Sequence, residues 1–334
     1  MNRILVIFIA LFFMFGCSSE EEEVSLDITK LGGEYLGESF PYGEAKLFLA
    51  GLIKDSYHLQ NLVFSPDGKE FYFTRTTLDN DSMVIFYSRL VDENWTNPRP
   101  LSFIDGHNYT DPFVSPDNQK LFFSSDRPIK GTADENYYNF NIWFSERNNG
   151  IWGEPFFLEE VNSNDDEFSP TLSEEGELYF ASSRSSAEGY WDLYKSKLVD
   201  GKFTQPERLP EPINSNARDF DPSISKDGNE LFFSSDRNDG FGSGDIYYSK
   251  LIDATWSEPI NLGGKINTND HEYCPRISYD GSFLFFTRSN PSEKYFYQEK
   301  ALDTRDPFEH AYIPEAGLSR VYWITIDSLS NVNR

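Results

Sequence analysis

The chain is poor in cysteine, methionine, histidine and basic residues. Its 334 residues include two Cys, three Met and four His, with 29 Lys and Arg against 55 Asp and Glu. Two cysteines exclude a disulfide scaffold. The net charge of −26 argues against nucleic acid as a partner, because phosphate recognition starts from a basic field. No Gly-x-Ser-x-Gly elbow, His-Glu-x-x-His helix, phosphate-binding glycine loop, dinucleotide fingerprint or EF-hand spacing occurs. No stretch sustains a helical stripe, which excludes a helical solenoid. Aromatic side chains are plentiful: 30 Phe and 19 Tyr, in a chain that is 38% apolar. Such a chain can bury a core, so global disorder is excluded. Many Phe and β-branched residues beside few Met lean towards an all-β fold.

The N-terminus reads as an address. Arg3 precedes an apolar run from Ile4 to Phe15, shorter than the ~20 residues a membrane-spanning helix needs. A basic start, an apolar stretch and a small residue make an export signal. Gly16-Cys17 follows at once, then Ser18-Ser19 and four glutamates, Glu20 to Glu23. This resembles a bacterial lipoprotein signal, with residues 1–16 removed, Cys17 lipidated and residues 17–33 as an acidic tether. Met14 is a small departure, since Leu is more usual there. An ordinary secretory signal with an incidental cysteine is the alternative. Several acyl chains on one Cys would anchor the protein stably, and this anchor would be its membrane contact. Ser18, where a retention signal would show Asp, favours the outer membrane. The acidic run resembles the surface-export tether of Bacteroidetes lipoproteins, which places surface display slightly ahead of periplasmic display; a solvated spacer is the plainer reading. With Cys17 lipidated, Cys274 has no partner for an intrachain disulfide.

One unit recurs five times. Phe64-Ser65-Pro66-Asp67-Gly68 precedes Phe71-Tyr72-Phe73, and Val114-Ser115-Pro116-Asp117-Asn118 precedes Leu121-Phe122-Phe123. Leu172-Ser173-Glu174-Glu175-Gly176, Ile224-Ser225-Lys226-Asp227-Gly228 and Ile277-Ser278-Tyr279-Asp280-Gly281 lead into equivalent apolar triplets. The turn acids 67, 117, 175, 227 and 280 are spaced by 50, 58, 52 and 53 residues. An Asp-Gly turn between two apolar runs predicts a hairpin. A third strand follows in each unit, and a fourth starts near Trp95, Trp152, Phe203 and Trp256, each three residues before a proline. Four strands per repeat predict an all-β propeller of four-stranded blades. Five blades are favoured, with Lys46 to Leu52 supplying the missing strand of the last. Six would follow if residues 289–320 and 33–60 built a degenerate blade.

The Ser-Pro-Asp-Gly hairpins, the Ser-Ser-Asp-Arg ends and the Asp245-Ile246-Tyr247 strand resemble the WD40-like (PD40) repeats of TolB-type propellers. The resemblance covers residues 34–327, leaving 328–334 as a tail. It implies fold more than function, because such propellers serve as docking platforms, accessory domains or, rarely, active sites. Similar repeats occur in envelope lipoproteins and in oligogalacturonate lyases, whose propeller binds a metal.

The start of each first strand and the end of each second strand share one face of a propeller. The residues there are His58-Leu59, Asn108-Tyr109, Asp166-Glu167, Arg218-Asp219 and His271-Glu272. Arg75, Arg127, Arg184, Arg237 and Arg288 end the second strands. A recurrent arginine suits a structural pin between blades, whereas the varied starting residues are candidates for ligand contact. The ligand candidates are therefore His58, Asn108, Asp166, Glu167, Arg218, Asp219, His271 and Glu272, with Trp191 on a nearby loop. His58, His107 and His271 fall on consecutive blades of a closed ring, and with Glu272 they would suit a divalent metal; three separate loop histidines are the alternative. The oxygen-rich loops 162–167 and 267–272 would suit calcium, although Asn-Ser-Asn is also ordinary turn chemistry. Loop aromatics Tyr137, Tyr138, Phe140, Tyr190, Phe241, Tyr295, Phe296 and Tyr297 would suit a sugar or a protein. The expectation is a monomeric, lipid-anchored propeller that binds an envelope protein or a glycan without catalysis and without a cofactor. The alternative is a metal-dependent, lyase-like enzyme acting on a glycan.

Overall fold

The computed structural model describes residues 29, 31–49, 57–77, 82–129, 139–184, 191–289 and 319–329. A short strand, β1 (Lys46–Leu47), precedes five repeats of one antiparallel sheet. Blade 1 comprises β2 (His58–Phe64), β3 (Glu70–Thr76), β4 (Met83–Val91), β5 (Asn94–Trp95) and β6 (Arg99–Pro100). Blade 2 comprises β7 (Tyr109–Val114), β8 (Lys120–Ser125), β9 (Asn141–Asn148), β10 (Ile151–Trp152) and β11 (Phe156–Phe157). Blade 3 comprises β12 (Glu167–Leu172), β13 (Glu177–Ser182), β14 (Asp192–Val199), β15 (Lys202–Phe203) and β16 (Glu207–Arg208). Blade 4 comprises β17 (Asp219–Ile224), β18 (Glu230–Ser235), β19 (Asp245–Ile252), β20 (Thr255–Trp256) and β21 (Ile260–Asn261). Blade 5 comprises β22 (His271–Ile277), β23 (Phe283–Ser289) and β24 (Arg320–Thr325).

The repeat motif explains the hairpins. The Asp67 carboxylate accepts the Ser65 hydroxyl at 2.6 Å and the Lys69 N–H at 3.1 Å, while the Ser65 Oγ accepts the Glu70 N–H at 3.0 Å. Gly68 takes φ +67°, which a side chain would resist. Ser115 with Asp117, Ser225 with Asp227 and Ser278 with Asp280 repeat the arrangement.

The fourth strand is split. β4 pairs first with β5 and then, across Pro98, with β6. The third and fourth strands turn tightly at Asp92-Glu93, Asn149-Gly150, Asp200-Gly201 and Asp253-Ala254, every residue with positive φ. Two such residues make a type I′ turn, whose twist matches the flanking strands. Proline then interrupts pairing, because it has no N–H to donate.

β1 closes the ring. Lys46 faces Trp323 and Leu47 faces Tyr322 on β24. The Phe48 N–H then reaches the Val321 carbonyl at 2.9 Å, as Leu101, Leu158, Leu209 and Leu262 reach Ile85, Ile142, Leu193 and Ile246 in the other blades. β1 therefore takes the place of β6, and the blades number five. Residues 50–52 of the expected strand lie outside the described residues. The packed region is slightly wider than 34–327. The Trp95 amide and indole N–H groups reach the Leu31 and Gly33 carbonyls, and Leu329 is buried.

The core lies between blades. Trp152 of blade 2 donates its indole N–H to the Tyr72 hydroxyl of blade 1 at 2.9 Å. Trp256 of blade 4 meets Tyr179 of blade 3 edge-on at 6.4 Å. Among the described residues no helix is long and apolar enough to cross a membrane.

Candidate functional site

The first strands β2, β7, β12, β17 and β22 begin at one end of the propeller, beside the ends of β3, β8, β13, β18 and β23. Three blades enter that end through one motif: Asn162-Ser163 before Glu167, Asn214-Ser215 before Asp219, and Asn267-Thr268 before Glu272. The Asn214 side chain accepts the Leu193 N–H at 2.7 Å and donates to the Leu193 and Leu209 carbonyls, tying the linker to the blade it leaves. Asn162 and Asn267 hold Ile142 and Ile246 in the same way. Ser215 then donates its N–H and hydroxyl to Asp219 at 2.7 and 2.8 Å. In these three blades the expected arginine completes the latch, whereas Arg75 lies over the Tyr57 ring and Arg127 pairs with Asp105 at 3.7 Å. Arg184 bonds Glu167 at 3.0 Å and the Val161 carbonyl at 2.8 Å. Arg288 bonds Glu272 at 2.6 Å and the Ile266 carbonyl at 2.7 Å. Arg237 does the same with Asp219 and Ile213.

Glu167, Asp219 and Glu272 are thus fully buried, each inside a set of hydroxyl, backbone and guanidinium donors. Burial pushes all three carboxyls above the ordinary range even though those donors pull the other way.

Of the residues that start the first strands, His58, Asn108, Asp166 and His271 reach the preceding blade, while Arg218 pairs within its own. His58 Nδ1 accepts the Ser319 N–H at 3.0 Å. Asn108 accepts the Met83 N–H and donates to Asp126, each at 2.8 Å. Asp166 accepts the Phe140 N–H at 2.7 Å. Arg218 pairs with Asp236 at 2.6 Å. His271 lies between the rings of Phe220 and Tyr273, 6.1 and 4.9 Å away. Burial, helped by Arg218, pushes the His271 imidazole down to about 4, so it is neutral near pH 7. A Cβ at Gly244 would lie 2.3 Å from His271 Nδ1, which is why glycine stands there.

The expected metal cluster is not assembled. His107 turns to Asp126 at 3.8 Å, His58 is closed over by Ser319, and His271 is sandwiched between rings. Among the described residues no group of three or more His, Cys, Asp or Glu side chains is arranged to hold a metal ion, so His58, His107, His271 and Glu272 do not form one. Each imidazole is engaged at its own blade boundary instead. Ser163 and Thr268 likewise bind the acids of the loops read as calcium-like.

Two of the expected loop aromatics, Phe140 and Trp191, come together on Phe168. Phe168 lies 4.7 Å from Phe140 and 5.4 Å from Trp191, and Met83 joins them. Trp191 and Phe220 are half-buried, and Phe241 is 53% exposed on the loop between β18 and β19. The Arg218–Asp236 pair borders this surface, with about a fifth of each side chain exposed. Tyr137, Tyr138, Tyr190, Tyr295, Phe296 and Tyr297 lie outside the described residues, as does Cys17.

Sequence reasoning missed the axis. Each first strand carries a bulge, and its residue has positive φ: Asn61, Asp111, Ser169, Asp221 and Cys274. Their side chains and amides link blade to blade. Asn61 donates to Asp111, the Ser169 N–H to Asp111 at 3.0 Å, the Ser169 hydroxyl to Asp221 at 2.5 Å, and the Cys274 N–H to Asp221 at 3.0 Å. The available signal was proline, which follows four of the five and marks a bulge inside a strand.

No family model matches the chain, and no curated protein matches it. Solved structures do. A putative TolB from Agrobacterium tumefaciens is 17% identical, with 70% of each chain covered and a TM-score of 0.46. TolB from Acinetobacter baumannii is 14% identical with a TM-score of 0.46; 69% of this chain matches 51% of that one, so the chain spans about half its length. An α-L-arabinofuranosidase from Lactobacillus brevis is 13% identical over 79% of this chain and 90% of that one, with a TM-score of 0.50. At these identities the likeness is one of fold.

Proposed function

We propose that this chain is a non-catalytic binding module whose ligand surface is the loop-bearing mouth over blades 2 to 4. The observation that carries the reading is the contrast at that end of the propeller. Glu167, Asp219 and Glu272 are locked with their arginines into latches, while Trp191 and Phe220 are half-buried, Phe241 is exposed and the Arg218–Asp236 pair keeps about a fifth of each side chain exposed. Rings offer stacking area at low entropic cost, and a fixed ion pair offers directional hydrogen bonds. That combination suits a glycan or a protein loop.

The leader reading belongs to the same proposal. Lipid on Cys17 would hold the propeller at the outer membrane, with the acidic tether favouring display at the surface over the periplasm. Labelling with a palmitate analogue tests the anchor: a labelled wild type beside an unlabelled Cys17→Ala supports it, and label retained in the variant sinks it. For the binding face, a melting-temperature panel of oligosaccharides comes first. A ligand at a hundred times its Kd adds about 2.7 kcal/mol to stability. The proposal expects a rise, or a complex with an envelope protein, that Trp191→Ala removes. Turnover of a glycan that survives Trp191→Ala and depends on a metal would favour the enzyme reading.

A further inference from the structure

Residues 31–43 form a strap along the end of the propeller opposite the mouth, where the β2–β3 and β4–β5 turns lie. The Trp95 amide and indole N–H groups, next to the β4–β5 turn, each donate at 3.3 Å, to the Leu31 and Gly33 carbonyls. Gly32 crosses that turn so closely that a Cβ would lie 2.6 Å from the Glu93 carbonyl oxygen. Tyr35 packs edge-on against Phe64, the last residue of β2, and Phe283, the first of β23, at 5.0 and 4.8 Å. Leu36 beside it is buried. The Thr325 N–H, at the end of β24, donates to the Pro41 carbonyl at 3.3 Å, and the Gly43 N–H donates to the Ser328 hydroxyl at 2.9 Å. The strap is therefore fixed to the hairpin end all the way to Leu31, at the rim of blade 1.

Cys17 lies fourteen residues before Leu31. A chain of that length reaches at most about 50 Å when fully extended and spans about 20 Å as a coil. β2 and β3 have seven residues each, so a blade stands about 23 Å high before its turns and linkers are added. With the hairpin end towards a bilayer, the tether meets the surface at its resting length. With the mouth towards the bilayer, it must first climb the outside of blade 1 and be stretched past that length, and a linker serves best when its resting length matches the span. The hairpin turns of all five blades carry an exposed acid, Asp67, Asp117, Glu175, Asp227 and Asp280. The apolar tips between them are isolated, so that face has no patch built to insert. We infer that, with Cys17 lipidated, the tether holds the hairpin end towards the bilayer and presents the Trp191 mouth away from it. The partner of the mouth then arrives from the aqueous side and not from the plane of the same membrane. This orientation rests on the Cys17 reading and is independent of what the mouth binds.

The test uses full-length protein purified from its native cells and reconstituted into phosphatidylcholine vesicles that carry an acceptor dye on their head groups. Donor dyes go on single new cysteines at exposed positions: Ile151→Cys or Ile252→Cys at the hairpin end, and Asn216→Cys at the mouth. Cys274 is buried and the Cys17 thiol would carry the lipid, so the dye goes to the new thiol. Flotation is read first, and wild-type protein should float with the vesicles. Energy transfer from positions 151 and 252 should then each exceed transfer from position 216 several-fold. In protein that floats, transfer from 216 that equals or exceeds either of them overturns the orientation and leaves the anchor standing. Wild-type protein that does not float overturns the anchor and this inference with it.

Discussion

The asparagine of each linker does more than turn the chain. Asn214 bonds both backbone groups of Leu193 and the Leu209 carbonyl, all buried. Asn214→Ala leaves those groups without partners, and a buried unsatisfied group costs about 1–3 kcal/mol. Urea unfolding should therefore show a loss of about 2–4 kcal/mol, well beyond that of an exposed Asn→Ala change. His271 gives a pH signature. Its folded value of about 4 lies below the ~6.5 of an unfolded imidazole, so the unfolded chain binds more protons between those values. The stability it contributes is fully present above about pH 6.5 and is lost as the pH falls towards its folded value. His271→Phe keeps a ring between Phe220 and Tyr273 and removes the titration. The gap between the variant and wild type should move in the variant's favour from pH 6.5 down to 4, and a constant gap would contradict the assignment. Neither role was legible in the sequence. Asn-Ser-Asn is common turn chemistry, and its partners lie about twenty residues upstream on another strand. The histidines were conspicuous by rarity, yet rarity said nothing of the rings and backbone that enclose them.

At the scale of the element, strands and turns were the most legible part. Ser-Pro-Asp-Gly specifies its hairpin through bonds inside six residues, so the sequence carries the whole cause. The split fourth strand was marked by its Trp and Pro. The bulges were harder to see, since a positive φ at Asn61, Ser169 or Cys274 depends on the neighbouring blade whose hydroxyl or carboxylate receives the amide. The closing strand could be placed by counting, and its anchor is Phe48. This side chain is 1% exposed and meets Phe64, Phe285 and Trp323 at 5.1 to 6.0 Å. Phe48→Ala should cost about 3–5 kcal/mol. It should also open blade 5 to proteases before the other blades, because a freed edge exposes unpaired backbone. Limited proteolysis with mass spectrometry checks this, and cleavage spread evenly over the blades would speak against a ring closed by β1.

For the whole molecule, two faces differ in kind. The hairpin face presents the short turns of every repeat, with isolated apolar tips such as Val91, Ile151 and Ile252. The opposite face carries the linkers, the latches and the grouped rings around Trp191. The repeat explains why the latches recur, and departures from the repeat mark the proposed surface: Trp191, Phe220 and Phe241 have no counterpart in every blade. The most direct test places a photo-crosslinking benzoyl-phenylalanine at position 241 on the mouth face, or at position 252 on the hairpin face, of the whole chain expressed in its native cells. Both positions are about half exposed, 53% and 55%, so accessibility does not favour either. The account predicts a discrete adduct from 241, lost when Trp191→Ala is added, and none from 252. A discrete adduct from 252 alone would put the binding surface on the wrong face and contradict the account.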